Sequence, residues 1–162
     1  MSGIINQVGA RSGIISSGGT ASAGTVTLAG ITGLDYEEGT WTPVPNSGSF
    51  NTVGYNWYRK IGGICFLQAS IGNIQGGFGT MSGLPFATNP AGPSYESAAA
   101  GGLMFNGINL PTGSGNISPY VYNNAIYFYA AVDDGGWTHI TDSMMENNDD
   151  IIMSASFFCI KT

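Results

Sequence analysis

Short stretches of alternating apolar and polar residues, separated by clusters of turn-forming residues, dominate the sequence from residue 40 onward. In GICFLQASI, residues 63–71, the side chains of Cys65, Leu67, Ala69 and Ile71 fall on one face of an extended chain. Further candidate strands are TWTPV, VGYNWYRKI, AAAGGLMFNGINL, ISPYVYN, AIYFYAAV and IIMSASFFCI. Short strands at regular spacing with such turns are typical of a sandwich or barrel. The sequence therefore predicts an all-β fold, an antiparallel β-sandwich or jelly-roll-like domain.

The clearest local prediction is a hairpin in PYVYNNAIYFYAAV, residues 119–132. Asn123-Asn124 forms its two-residue turn, because Asn tolerates a positive φ. Aromatic side chains crowd both strands of this hairpin, at Tyr120, Tyr122, Tyr127, Phe128 and Tyr129. Half of them should face the core, and the others are suited to a subunit interface or to stacking on sugars. We predict a subunit interface that includes Tyr120, Tyr122, Tyr127 and Tyr129.

Residues 1–34 differ from the rest because they contain no aromatic residue and are rich in Gly, Ser, Thr and Ala. Such a segment cannot build a core of its own. It repeats Ser-Gly-Ile-Ile, which places apolar pairs at Ile4, Ile5, Ile14 and Ile15. We therefore predict an extended docking arm over 1–34, held by these isoleucines, and a β-sandwich domain over 35–162. The alternative is a tail that folds back on its own domain.

Charged residues make up 9% of the chain, against roughly a quarter in a typical soluble protein. The net charge is −6 with four Lys and Arg residues, which is too few for the basic surface that nucleic acid or an anionic membrane requires. Residues 61–95 and 97–132 carry no charge at all. Because such a surface dissolves poorly, we expect copies of the chain or other proteins to cover much of it. The alternative is a self-sufficient sandwich with a Ser/Thr/Asn surface.

The N-terminal residues lack the basic start and continuous apolar run of a secretory signal, so synthesis without export is expected. Cys65 and Cys159 are far apart in the sequence and lack metal-type spacing. A free cysteine behaves as a small apolar residue, and a disulfide would require an oxidising compartment. We therefore expect two buried free thiols.

The stretch LDYEEGTWTPV, residues 34–44, raises the question of an acid/base site because it contains Asp35, Glu37 and Glu38. Glycoside hydrolysis needs two carboxylates that face each other about 5–10 Å apart. Neighbouring residues of a strand point to opposite faces, and in a turn both would face water. We therefore expect a solvated turn where the arm ends and the β domain begins.

Other candidate sites are weaker. His139 is the only histidine, and no G-x-S-x-G nucleophile motif accompanies it. The loops DDGGW and ENNDD are rich in oxygen ligands suited to Ca²⁺, but they lack EF-hand spacing and such loops are usual between strands. TDSMMENNDD, residues 141–150, is predicted to be a loop with one helical turn. The sequence thus predicts no catalytic residues and no cofactor or metal, and it leaves Ca²⁺ binding open.

Three segments of the chain resemble a known family. They are DYEEGTWTP at 35–43, Y-x-K-I-G-x-x-C at 58–65 and SGLPF at 82–86. Together they resemble the small β-domain proteins of tailed bacteriophages, common in marine phages, often labelled tail fibre or virion protein. The closing SASFFCIKT resembles the last strand of such domains, whereas Gly63 stands where family members often carry Asn.

The resemblance implies a β domain of the virion and little about mechanism. Because the sequence predicts no catalytic residues, we expect a non-enzymatic structural protein, assembled in the host cytoplasm. A short fibre or capsid decoration protein, docked to other virion proteins by its arm, is the expected role. Related phage fibre domains are typically trimers, which implies a homotrimer here. The alternative is a tail-fibre tip for host attachment that recognises surface glycans through exposed Tyr and Trp, and a carbohydrate-active enzyme is a third possibility.

Overall fold

The computed structural model describes residues 24–28, 31–89 and 99–160. The strands in these ranges are β1 (Gly24–Leu28), β2 (Ile31–Thr40), β3 (Val44–Pro45), β4 (Ser49–Gly54), β5 (Trp57–Ile61), β6 (Ile64–Gln75), β7 (Thr80–Ser82), β8 (Ala99–Asn106), β9 (Ser114–Tyr122), β10 (Ala125–Val132), β11 (Trp137–His139) and β12 (Asp149–Phe158). A short 3₁₀ helix, Asp142–Met144, confirms the single helical turn predicted in residues 141–150. No helix in these ranges is long and apolar enough to cross a membrane.

The strands form two antiparallel sheets, which confirms the predicted all-β sandwich. The first sheet has the order β1-β2-β5-β6-β12-β8, and β4 also pairs with β6. The second sheet has the order β8-β9-β10-β7-β3, and β11 pairs with β10. The predicted docking residues Ile4, Ile5, Ile14 and Ile15 lie outside the described residues.

Strand β8 belongs to both sheets. Residues 101–106 pair with β12 in the first sheet, whereas Ala99 and Ala100 pair with β9 in the second. The chain therefore crosses between the sheets at Gly101. At this residue the two backbones approach so closely that an added Cβ would lie 1.8 Å from the carbonyl oxygen of Ser154. Glycine is thus required for the close approach of β8 to β12.

The core lies between the two sheets and follows the period of two in the strands. The alternation predicted for β6 is confirmed, because Cys65, Leu67, Ala69 and Ile71 are all buried. The second sheet contributes Phe128, whose ring packs edge-on against Phe78 with centroids 5.6 Å apart. Both thiols are buried, as predicted.

The predicted β9–β10 hairpin is confirmed in its register and its turn. Tyr122 pairs with Ala125, and both Asn123 and Asn124 have positive φ, at 48° and 61°. Two consecutive residues of this conformation match the right-handed twist of the flanking strands. Among the five aromatic residues of the hairpin, Phe128 is buried and the four tyrosines lie on the outer face.

The solvated turn predicted at Asp35, Glu37 and Glu38 is wrong, since these residues belong to strand β2. This strand crosses the predicted domain boundary after Leu34, and its first half pairs with β1. Residues 24–28 and 31–34 therefore form part of the first sheet. The acidic residues fit a strand because Glu37 and Glu38 lie opposite Lys60 and Arg59 of β5. The opposite charges across this strand pair stabilise the carboxylates, as water would in a turn.

Two other strand predictions are wrong, and the two irregular segments contact each other. Residues 40–44 are not one strand, because β2 ends at Thr40 and Trp41 turns into the core, where its indole nitrogen donates to Gln68 O at 3.0 Å. Residues 53–61 form two strands instead of one, since Tyr55 has a φ of 51° and breaks the extended chain. Asn56 links the two irregular segments by two hydrogen bonds. Its backbone carbonyl accepts from Trp41 N at 2.9 Å, and its side-chain amide donates to Trp41 O.

Candidate functional site

The three segments that carry the family resemblance meet in one cluster at the inner face of the first sheet. The Tyr58 hydroxyl from β5 donates to Glu37 Oε1 of β2 at 2.7 Å. The Tyr58 ring packs edge-on against Phe86, with centroids 5.3 Å apart. The ammonium of Lys60 lies 5.1 Å from the centroid of the same Phe86 ring. We call Glu37, Tyr58, Lys60 and Phe86 the motif cluster.

The electrostatics of the motif cluster favour a packing role. Burial, followed by the hydrogen bond to Glu37, raises the pKa of Tyr58 to about 12. Tyr58 therefore remains a neutral hydrogen-bond donor at physiological pH. Lys60 is 1% exposed, and a cation over an aromatic face is stabilised by the ring quadrupole. These contacts hold β2, β5 and the 82–86 segment together.

Glu38 belongs to the opposite face of the same strand. Its Oε2 accepts from the Tyr36 hydroxyl at 2.5 Å and lies 3.6 Å from Arg59 Nε. Glu37 and Glu38 thus point to opposite sides of the sheet, as the period of two predicts. They do not face each other across a common cleft, so they cannot act as the carboxylate pair of a glycosidase.

His139 is held in place by backbone and aromatic contacts. Its Nε2 donates to the carbonyl of Gly79 at 3.0 Å, and its ring lies 5.2 Å from that of Tyr129 and 5.8 Å from that of Tyr127. Through these contacts the histidine holds β11 against the loop before β7. The structural interpretation of His139 therefore fits its surroundings better than a catalytic one.

Two carboxylates in residues 141–150 fix local structure. Asp142 Oδ2 accepts from the Ser47 hydroxyl at 2.5 Å, and this bond is the main cause that lowers the pKa of Asp142. Asp149 is buried and accepts from the backbone N–H of Glu146 at 2.7 Å, while burial raises its pKa. Within residues 36–89 and 101–160, no group of three or more His, Cys, Asp or Glu side chains is placed to hold a metal ion.

The predicted interface tyrosines come together on the outer face of the second sheet. We call them and their neighbour the tyrosine row: Tyr120, Tyr122, Tyr127, Tyr129 and His139. Tyr120 lies 6.0 Å from Tyr122 and 5.7 Å from Tyr129 between ring centroids. Each tyrosine is half-buried by these contacts, whereas Trp137 at the end of the row is 76% exposed. The structure thus groups the four residues, and their role in an interface stays a prediction.

A second surface was not singled out from the sequence. The outer face of the first sheet carries seven large apolar side chains that are 37–64% exposed. We call it the apolar face, and its members are Trp57, Ile61, Ile64, Phe66, Met104, Ile152 and Phe158. The strand register gives two groups: Ile64 lies opposite both Ile61 and Phe158, and Ile152 lies opposite Met104, with Gln68 and Ser154 between the groups. The signal was present in β6 and β12, where apolar residues occur at both odd and even positions.

The apolar face contains a hollow of about 650 Å³. Its lining combines the large side chains of Tyr55, Trp57 and Phe66 with the small residues Gly101 and Ser154. Small residues in the middle of β8 and β12 leave this space because their neighbours project beyond them. The surface therefore has both protruding rings and a depression able to receive an apolar side chain.

Comparisons with known proteins found no match to a family model, a curated protein or a solved structure.

Proposed function

We propose that this chain is a non-enzymatic structural protein of a bacteriophage particle, a short fibre or capsid decoration protein. Its N-terminal arm docks on another virion protein, and its β-sandwich associates as a homotrimer. The proposal rests on the resemblance of residues 35–43, 58–65 and 82–86 to phage virion domains. The observation that carries it is the motif cluster, in which these three segments contact one another inside the fold.

The contacts of the polar motif residues support a structural role. A catalytic motif would direct its ionisable groups into a cleft that a substrate can enter. Here Glu37 accepts from Tyr58, Glu38 contacts Tyr36 and Arg59, and Lys60 lies over Phe86. Each of these groups holds one strand or loop against the next. The pattern that defines the resemblance is therefore a pattern for building the sheet.

The test of the virion role is incorporation into particles. A truncation that begins at Gly24 keeps β1 and β2 intact, whereas a cut after residue 33 would remove β1 and part of β2. A second variant replaces Ile4, Ile5, Ile14 and Ile15 by Thr in the full chain. We expect both variants to keep the melting temperature of the domain and to lose particle occupancy, measured by mass spectrometry of purified virions. Full occupancy of either variant would refute the docking arm.

A second candidate function is recognition of host surface glycans by the second sheet. The observation that favours it is the tyrosine row together with Trp137, which is 76% exposed. Aromatic rings that combine an apolar face with a polar edge suit the mixed surface of a sugar. Trp137→Ala should abolish binding on a glycan array and leave particle incorporation intact, with Trp57→Ala on the opposite sheet as the matched control. Absence of glycan binding by the unmodified chain would remove this candidate.

A further inference from the structure

The outer face of the first sheet exposes a large total apolar area. Its seven large side chains expose on the order of 650 Å² of apolar area, taking about 150–250 Å² for a whole large side chain and the exposed fractions of each residue. The largest apolar patch on a typical monomer is about 300–600 Å². The interspersed polar side chains bring the face close to the roughly 800 Å² per partner of a standard interface.

This face carries few charges, and one of them, Arg59, lies opposite Phe66 and lines the hollow. Arg59 and Glu38 lie 3.6 Å apart on the β2 side, so their charges largely cancel. At the far end, Asp150 lies opposite Asn106 on β8. Aromatic residues and Arg are enriched in protein–protein interfaces, and this face combines Trp57 and Phe66 with Arg59.

We propose that the apolar face is the surface through which copies of this chain associate. The chain carries a net charge of −6, so two copies repel each other unless they meet at an uncharged surface. This face comes close to such a surface, because the charge of Arg59 at the hollow is paired with Glu38 3.6 Å away. It also combines protruding rings with a hollow, so a ring of one copy can enter the hollow of another.

This inference deepens the homotrimer of the proposed function by naming its surface, and it differs from the prediction that the tyrosine row forms the interface. The tyrosines of that row already bury one another within one chain. Trp57, Phe66 and Met104 of the apolar face are 55%, 46% and 64% exposed and have more area left to bury. Burial of apolar area is the main driving force of association. The face with the larger exposed apolar area is therefore the better candidate for the interface.

The test compares the mass of three full-length proteins in solution at micromolar concentration: the unmodified chain, Phe66→Lys and Trp137→Lys. Phe66 lines the hollow, whereas Trp137 is an exposed aromatic residue on the opposite sheet and serves as the matched control. We expect a multiple of 16.8 kDa for the unmodified chain and for Trp137→Lys. Phe66→Lys should raise the dissociation constant at least about 30-fold, the effect of losing a buried aromatic hot spot.

Oxidation of Met104 by dilute hydrogen peroxide supplies a second measurement that does not depend on Phe66→Lys being soluble. Met104 is 64% exposed in the single chain, so it should be protected in the oligomer and oxidise quickly on dilution to the monomer. A monomer for the unmodified chain would overturn the proposal, and so would an oligomer lost in Trp137→Lys and kept in Phe66→Lys. If removal of residues 1–23 exposes Met104 while the mass still corresponds to the same number of copies, the chain's own arm covers the face and the proposal is wrong.

The number of copies separates this inference from the proposed function. A dimer that Phe66→Lys dissociates would support the apolar face and refute the homotrimer. Failure of the chain to enter phage particles would refute the virion role and leave the solution interface standing.

Discussion

The substitution Gly101→Ala adds one methyl group at the point where β8 crosses between the two sheets. The new Cβ would lie 1.8 Å from Ser154 O and 2.8 Å from Ala155 Cα. Both atoms belong to the backbone of β12, so no side-chain rotation can relieve the overlap. Gly101 has no positive φ, and the effect of the substitution is therefore steric. Separation of the strands would disturb the pairing of Gly101 with Ala155.

The magnitude follows from two terms. Overpacking of a well-packed site costs about 1–3 kcal/mol. Loss of one ladder hydrogen bond adds about 1 kcal/mol. We therefore expect Gly101→Ala to lower the free energy of unfolding by about 2–4 kcal/mol.

The neighbouring glycine provides the control. At Gly102 an added Cβ has its nearest neighbour at 3.6 Å, the hydroxyl oxygen of Ser154. Gly102→Ala should thus be neutral or stabilise the strand by up to about 1 kcal/mol, because Ala loses less backbone entropy on folding. Urea unfolding at 25 °C measures the stability of both variants. All proteins are compared at one concentration, because association adds to stability. Equal stability of the two variants would refute the close approach of β8 to β12.

Three further predictions concern ionisable groups. Replacing Glu38 by Gln should change the free energy of unfolding by less than about 1 kcal/mol, because Gln keeps an acceptor oxygen for Tyr36 and the ion pair with Arg59 is partly exposed; a larger loss in urea unfolding would contradict this. Both thiols are buried, and burial raises the pKa of Cys65 to about 12. Cys65 and Cys159 should therefore react with a thiol reagent at pH 8 only after unfolding, and rapid labelling of the native protein would contradict their burial. The pKa of Asp142 is lowered by the Ser47 hydrogen bond, so its stabilisation is present above the unfolded pKa of about 3.9 and is lost as pH falls through the lower folded value. Asp142→Asn should therefore reduce the melting temperature at pH 7 and have little effect near pH 2, and a difference that persists at pH 2 would refute this origin.

Strands and turns that are specified by neighbouring residues can be predicted from the sequence alone. Period-two alternation identified β6 and its buried face, because one set of side chains is consistently apolar and small enough to pack. Asn123-Asn124 fixed the β9–β10 hairpin, since a two-residue turn with positive φ sets the register of both strands.

Long-range packing decided the rest. The acidic residues before Gly39 belong to a strand because β5 places Lys60 and Arg59 opposite them, 21 or more residues further along the chain. Trp41 leaves the strand path to bond Gln68, a partner that no local pattern identifies. Alternation also cannot say which face of β12 is buried when both faces are apolar. Pairing with β6 and β8 turned Phe157 inward and left Phe158 outside, so the apolar face exists only once the strands are in register.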